Sequence, residues 1–372
     1  MRQSGTMPSS AEASRPASRL LPAAAIAVLG ITLGLILVAA GDTLGYDYRA
    51  YEGAARRLLE GRPLYDPTVD VAGGFAIYLY PPPFALLALP FALLPGTLGV
   101  WAWIGGLLAA FLAGCWLLPV RRDVRWVIVL LGGAMWPLVY SIKLGQVGPL
   151  LFLAFALGWR WIDRPAPLGA TIAAGAVIKV QPLVLLAWAA ATKRWRAVVV
   201  GLACLALAAV AITPFVGLGT WFDYVEILRR VSAPVTTPHN FSPGAVLYQL
   251  GVPEAVALVG QLAAMALTLG IVVFAWFRAR ADASYLATAV ASQLVSPLLW
   301  DHYAMLLLLP VAYLIDRGRA WAAAIPLAMS VPLVWLVPAW AYPLAFLVSL
   351  AAVAFSRVDV KPPPTTAAVA RL

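Results

Sequence analysis

Apolar runs close to the bilayer-spanning length recur from one end of this chain to the other, and that recurrence limits the fold more than any other feature. In a bilayer every backbone polar group must find its partner inside the protein, so such runs read as helices. Composition agrees: of 372 residues, 63% are hydrophobic and 11% charged, with mean hydropathy +0.88. Soluble domains carry about 25% charged residues, which excludes that class. The net charge of +10 raises a nucleic-acid partner, but no basic block with interleaved aromatics is present. The chain is expected to be all-α, a polytopic transmembrane protein of about 12 membrane helices, some in short broken hairpins. Cys115 and Cys204 sit alone in apolar stretches and read as packing residues.

Charge placement gives a threading. The clusters Arg121/Arg122/Arg125, Arg160/Arg164, Lys193/Arg194/Arg196, Arg278/Arg280, Arg317/Arg319 and Arg357/Lys361/Arg371 fall on the side of the N-terminal tail with its Arg2, Arg15 and Arg19. By the positive-inside rule that side is cytoplasmic. Residues 1–19 read as a disordered cytoplasmic tail, 20–356 as the membrane domain and 357–372 as a second cytoplasmic tail. The expected spans are 20–40, 98–118, 126–141, 147–162, 168–178, 181–192, 197–214, 254–277, 283–297, 302–315, 320–337 and 341–356. A single long span over 168–192 is the alternative to a hairpin there. Most carboxylates and both histidines then lie outside, in a plasma-membrane protein whose active face is extracytoplasmic.

The first external loop, 41–97, carries the clearest local signals. Tyr48, Tyr51, Ala55, Leu58 and Leu59 have helical spacing, ended by Gly61 and Pro63. Residues 84–94 read as a second interfacial helix, interrupted by Pro90. Asp47 stands at the start of the first of these helices, where a carboxylate caps free N–H groups. Its place directly after a span also suits an acid facing a lipid-borne substrate.

Lys179 is a cation deep in an apolar hairpin, which requires a partner or solvent; a lipid-linked phosphate is one partner, snorkelling the alternative. Lys143 raises the same choice at the tip 136–149. His302, within Trp300-Asp301-His302-Tyr303, suits hydrogen bonding to a sugar or phosphate, or a structural interfacial role. His239 lies in a turn-rich loop and reads as structural. Walker, GxGxxG, G-x-S-x-G and metal-ligand spacings are all missing from the sequence, so no nucleotide, cofactor or metal is expected.

Taken in order, Asp47 with Tyr51, Leu64-Tyr65-Asp66, Tyr80-Pro81-Pro82, Gly145-Gln146, Lys179 with Gln181-Pro182, and Ser296-Pro297 with Trp300, His302 and Tyr303 resemble the GT-C integral-membrane glycosyltransferases. The chain is similar in particular to glycosyltransferase family 87, the polyprenyl-phosphate-mannose-dependent mannosyltransferases. That resemblance implies a polyprenyl-phosphate-sugar donor, with mannose as the sugar, and a glycolipid or glycan acceptor, joined with inversion on the outer face. It implies Asp47 as general base, Lys179 and Lys143 as the cations meeting the leaving phosphate, and His302 as a sugar or phosphate contact. Gln146, Tyr51 and Tyr80 are further candidate substrate contacts. Asn240 is another, although relatives often carry Asn-Gln-Ser where this chain reads Asn240-Phe241-Ser242. The competing class is a transporter of a lipid or small solute. It would predict an inverted repeat with charges at the midplane of both halves, and neither is evident in the sequence.

Overall fold

The computed structural model describes residues 17–66, 77–231, 235–237 and 239–356. Most of the expected N-terminal tail and all of the expected C-terminal tail lie outside these. Among the described residues the fold is helical, with one isolated β-bridge between Met135 and Ser330.

The chain enters through α1 (Ala17–Ala39), turns through a 3-10 segment at Gly41–Thr43, and forms α2 (Tyr48–Leu59) and α3 (Phe84–Ala92). Then follow α4 (Leu98–Leu117), α5 (Arg122–Ala134), α6 (Trp136–Leu144), α7 (Gly148–Arg160) and α8 (Pro165–Ile178). A break at Lys179 leads through a 3-10 turn into α9 (Val184–Ala191), and α10 (Trp195–Val216) and α11 (Gly219–Val231) follow. The last part holds α12 (Pro243–Gln249), α13 (Glu254–Arg278), α14 (Ala281–Leu294), α15 (Leu308–Asp316), α16 (Ala324–Ala328) and α17 (Ala341–Ala354).

Among the described residues four helices, α1, α4, α10 and α13, are long and apolar enough to cross a membrane. The pair α6 and α7 makes a fifth if its bend of 117° is taken within one span. The outer faces of these helices are greasy: Leu207, Val210 and Phe215 on α10 are 70%, 69% and 67% exposed. Such faces suit lipid rather than water. The remaining apolar helices, among them α8, α9 and α17, are shorter than a full crossing.

Two departures from the sequence-based spans have local causes. The expected 126–141 helix stops at Ala134 because Met135 is extended (φ −84°, ψ 121°). The groups this frees cross to 329–331, where Trp136 N–H donates to the Met329 carbonyl (2.9 Å) and Val331 N–H to that of Ala134 (2.8 Å). The expected 320–337 span is correspondingly broken into a 3-10 turn, the short α16 and another 3-10 turn. Pro326 and Pro332 each remove a donor there, so a continuous helix is disfavoured.

Helix contacts are tightest where side chains are smallest. A Cβ on Gly169 of α8 would stand 2.3 Å from the Ala197 carbonyl oxygen of α10, so these backbones touch. Basic helix ends are tied together by Arg121 to Asp316 (3.3 Å), Arg317 to Asp282 (2.6 Å) and Arg194 to the Ile162 carbonyl (2.5 Å).

Candidate functional site

The first loop is clamped onto the α6–α7 bend by its backbone. Gly45 N–H donates to the Lys143 carbonyl (2.9 Å) and Asp47 N–H to that of Leu144 (2.8 Å). The bend is made by Gly145, whose φ of 72° lies in the left-handed region; a Cβ there would meet Tyr48 Cβ at 2.8 Å. Trp103 secures the same peptide by donating its indole N–H to the Gly145 carbonyl (2.7 Å). Asp47 is therefore held against Gln146 by contacts that do not involve its carboxylate.

The Asp47 side chain makes no cap hydrogen bond with α2, although the residue occupies the N-cap position. Its Oδ2 instead accepts from Gln146 Nε2 at 3.1 Å. Gln146 is buried, and its Oε1 accepts from Val147 N–H and the Tyr80 hydroxyl, each at 2.8 Å. Because a backbone N–H can only donate, Val147 fixes the amide orientation and keeps the NH2 group facing Asp47. The Tyr51 hydroxyl lies 2.8 Å from that of Tyr80 and 3.1 Å from Gln146 Oε1. Having one proton, it serves one of them at a time. Phe84 and Trp103 pack edge-on against Tyr51, so α2, α3 and α4 all press on this hub.

Tyr80 connects the hub to Lys179. The ammonium Nζ lies 5.7 Å from the Tyr80 ring centroid and 3.9 Å from that of Tyr303. Such cation–π contacts are worth about 0.5–2 kcal/mol. Among the described residues no carboxylate pairs with Lys179, which is half-buried at the extended break after α8. Two aromatic faces thus flank the cation. His302 packs edge-on against Tyr303 with ring centroids 4.6 Å apart. Asp47, Tyr51, Tyr80, Gln146, Lys179 and His302 thus form one contiguous set from five separate stretches of chain.

Lys143 and Asn240 stand apart from the hub. Lys143 Nζ lies 5.4 Å over the Tyr140 ring, itself stacked on Trp136 at 4.7 Å. Asn240 is fully buried; its Oδ1 accepts from Ser242 N–H (2.9 Å) and Leu299 N–H (3.0 Å), and its Nδ2 donates to the Pro297 carbonyl (2.9 Å). It fastens its own loop to the strand of chain that leads into His302. Tyr303, Tyr140 and Asp301 are neighbours that sequence reasoning did not single out as site residues. The clue for Asp301 was adjacency to His302. Among the described residues no three His, Cys, Asp or Glu side chains gather as a metal site.

Burial raises the pKa of Asp47 above the ordinary carboxylate value, partly offset by His302, Lys179, the Gln146 hydrogen bond and Lys143. A carboxyl so placed is a stronger base when ionised than a solvent-exposed aspartate. A reaction that needs ionised Asp47 falls off on the acid side at a pH above about 3.9, the unperturbed value. Gln146→Ala removes a donor that favours the ionised form, so this acid limb is expected to move to still higher pH. A limb that stays put or moves down in the rate–pH profile would contradict the assignment.

A cavity of about 650 Å³ lies elsewhere, between Asp163–Pro167 and Trp195–Val200 among the basic helix ends. It touches none of the hub residues and is not where the acid, amide and cation converge.

The family model described as Glycosyltransferase family 87 matches residues 78–310, well over half of the chain. The match contains Tyr80, Lys143, Gln146, Lys179, Asn240 and His302, and begins after Asp47 and Tyr51. No curated protein and no solved structure matches the chain.

Proposed function

The chain belongs to glycosyltransferase family 87 and is a membrane glycosyltransferase; from that premise we propose that it moves a sugar, mannose, from a polyprenyl-phosphate donor to a glycolipid or glycan hydroxyl on the extracytoplasmic face. The protein is multi-pass in the plasma membrane on this reading, with both termini cytoplasmic by the distribution of its basic clusters.

In the reaction the Asp47 carboxylate takes the proton of the acceptor hydroxyl. The hydroxyl oxygen forms its bond to the anomeric carbon from the face opposite the phosphate, so configuration inverts. The bond from that carbon to the phosphate oxygen breaks, and its electron pair leaves with the lipid phosphate. Lys179 stands where that growing charge needs a cation, with His302 beside it and Lys143 further out. Gln146 keeps the carboxylate aimed, while Tyr51 and Tyr80 anchor Gln146. Excluding water strengthens each of these electrostatic effects.

The observation that carries this reading is the Asp47 carboxylate itself: half-buried, not committed to the helix cap, and held in the same cluster as an unpaired Lys179. The test is incubation of membranes bearing the protein with labelled polyprenyl-phosphate-mannose. Label is expected to move into a lipid or glycan product. If no lipid-phosphate sugar serves as donor, the proposal is wrong.

A further inference from the structure

His302 is almost completely buried, at 5% exposure, yet its Nε2 has no hydrogen-bond partner among the described residues. Its other nitrogen is occupied: Nδ1 lies 3.5 Å from Asp301 Oδ1. The same oxygen accepts the His302 backbone N–H at 2.8 Å, and the second oxygen, Oδ2, accepts the Trp136 indole N–H at 3.2 Å. Trp136 is itself immobilised, stacked on Tyr140 and joined through its backbone to Met329. The ring of His302 runs parallel to that of Trp300 and meets Tyr303 edge-on. Every element around the imidazole thus restricts its rotation, and only Nε2 is left open.

A buried polar atom without a partner costs about 1–3 kcal/mol, so a ligand atom that meets Nε2 recovers that cost. Which hydrogen-bonding state Nε2 offers depends on Nδ1. A carboxylate can only accept, so Asp301 requires a proton on Nδ1. Nε2 then carries a lone pair and accepts a hydroxyl proton.

We propose that Asp301, held by Trp136, is a positioning residue that keeps the His302 proton on Nδ1 and turns the Nε2 lone pair toward a hydroxyl of the substrate sugar. The identity of that hydroxyl rests on the function proposed above; the arrangement of the imidazole does not. Asp301 touches no substrate on this account and acts only through His302.

The chain has only two histidines, which makes the test direct. His239 is exposed and has a positive φ of 57°, a conformation asparagine also tolerates, so His239→Asn leaves His302 as the sole imidazole. With nitrogen-15-labelled histidine in that background, NMR reports which ring nitrogen carries the proton. Protonated Nδ1 is expected, with an Nε2 shift on adding a short-chain polyprenyl-phosphate-mannose that polyprenyl phosphate alone does not give. In Asp301→Ala the proton pattern is expected to revert toward the Nε2–H form of free imidazole. Sugar transfer should fall about 10–100-fold in kcat, the loss seen where a carboxylate behind a ligating histidine is removed, with acceptor KM unchanged. Asp301→Asn keeps one acceptor oxygen for the His302 donors at the expense of the Trp136 contact, so it should recover part of that loss and guards against a folding defect in the alanine variant. An unchanged Nδ1 signal in Asp301→Ala, or equal kcat in an active preparation, overturns the positioning role. If the wild type transfers no sugar but the Nδ1 signal responds to Asp301→Ala, the positioning stands and the proposed function falls.

Discussion

Asp47→Asn is expected to lower sugar transfer by about 10²–10⁴, the range attributed to a positioned general base, while the protein inserts and folds as before. The substitution nearly preserves shape. Asn keeps an oxygen that can accept from Gln146 Nε2, and Asp47 contributes nothing through its side chain to the α2 cap. The backbone bond from Asp47 N–H to Leu144 is untouched. Only the capacity to take a proton is removed. Because the carboxylate is partly desolvated, replacing it by a neutral amide should leave thermal stability level or slightly raised. Transfer by the variant at the wild-type rate, with normal insertion, would remove Asp47 from the role of base. Loss of the folded protein would show a structural role instead, and Asp47→Glu then separates charge from fit.

Lys179→Met should cost about 10²–10³ in kcat, the scale of losing one preorganised group at a developing charge. Methionine keeps the length and can still pack on Tyr303 and Tyr80, so the aromatic walls need not collapse. No ion pair is broken, because among the described residues no carboxylate pairs with this ammonium. Lys179→Arg keeps the charge but enlarges the head, and an intermediate loss is expected. The effect should fall on kcat more than on acceptor KM, since the cation serves the leaving phosphate. A Lys179→Met enzyme with full kcat would assign the lysine to packing.

Much of the local structure could be read from the residues. The helix over 48–59 followed from the spacing of Tyr48, Tyr51 and Ala55, all three buried, and its end from Gly61, whose φ is 63°. The break at Lys179 and the bend at Gly145 fell where polar residues interrupted apolar runs. The site was legible only as scattered candidates. Asp47 and Gln146 are 99 positions apart, Tyr80 and Gln146 are 66, and Trp136 and Asp301 are 165. No periodicity couples residues at such separations; tertiary packing does. Asn240 shows the converse. Its type suited a substrate contact, but three backbone groups take up its amide, which no sequence pattern announced. The 320–337 segment misled because its hydropathy reads as a span while its prolines and the bridge at Ser330 break it.

The most direct test of the account combines donor and stereochemistry. Purified protein in lipid vesicles is given a polyprenyl-phosphate-mannose of defined anomeric configuration or a nucleotide-linked mannose, and the linkage in any product is read by NMR. The account predicts product from the lipid phosphate alone, with the anomeric configuration inverted. Product from the nucleotide sugar, or retention of configuration, would contradict it.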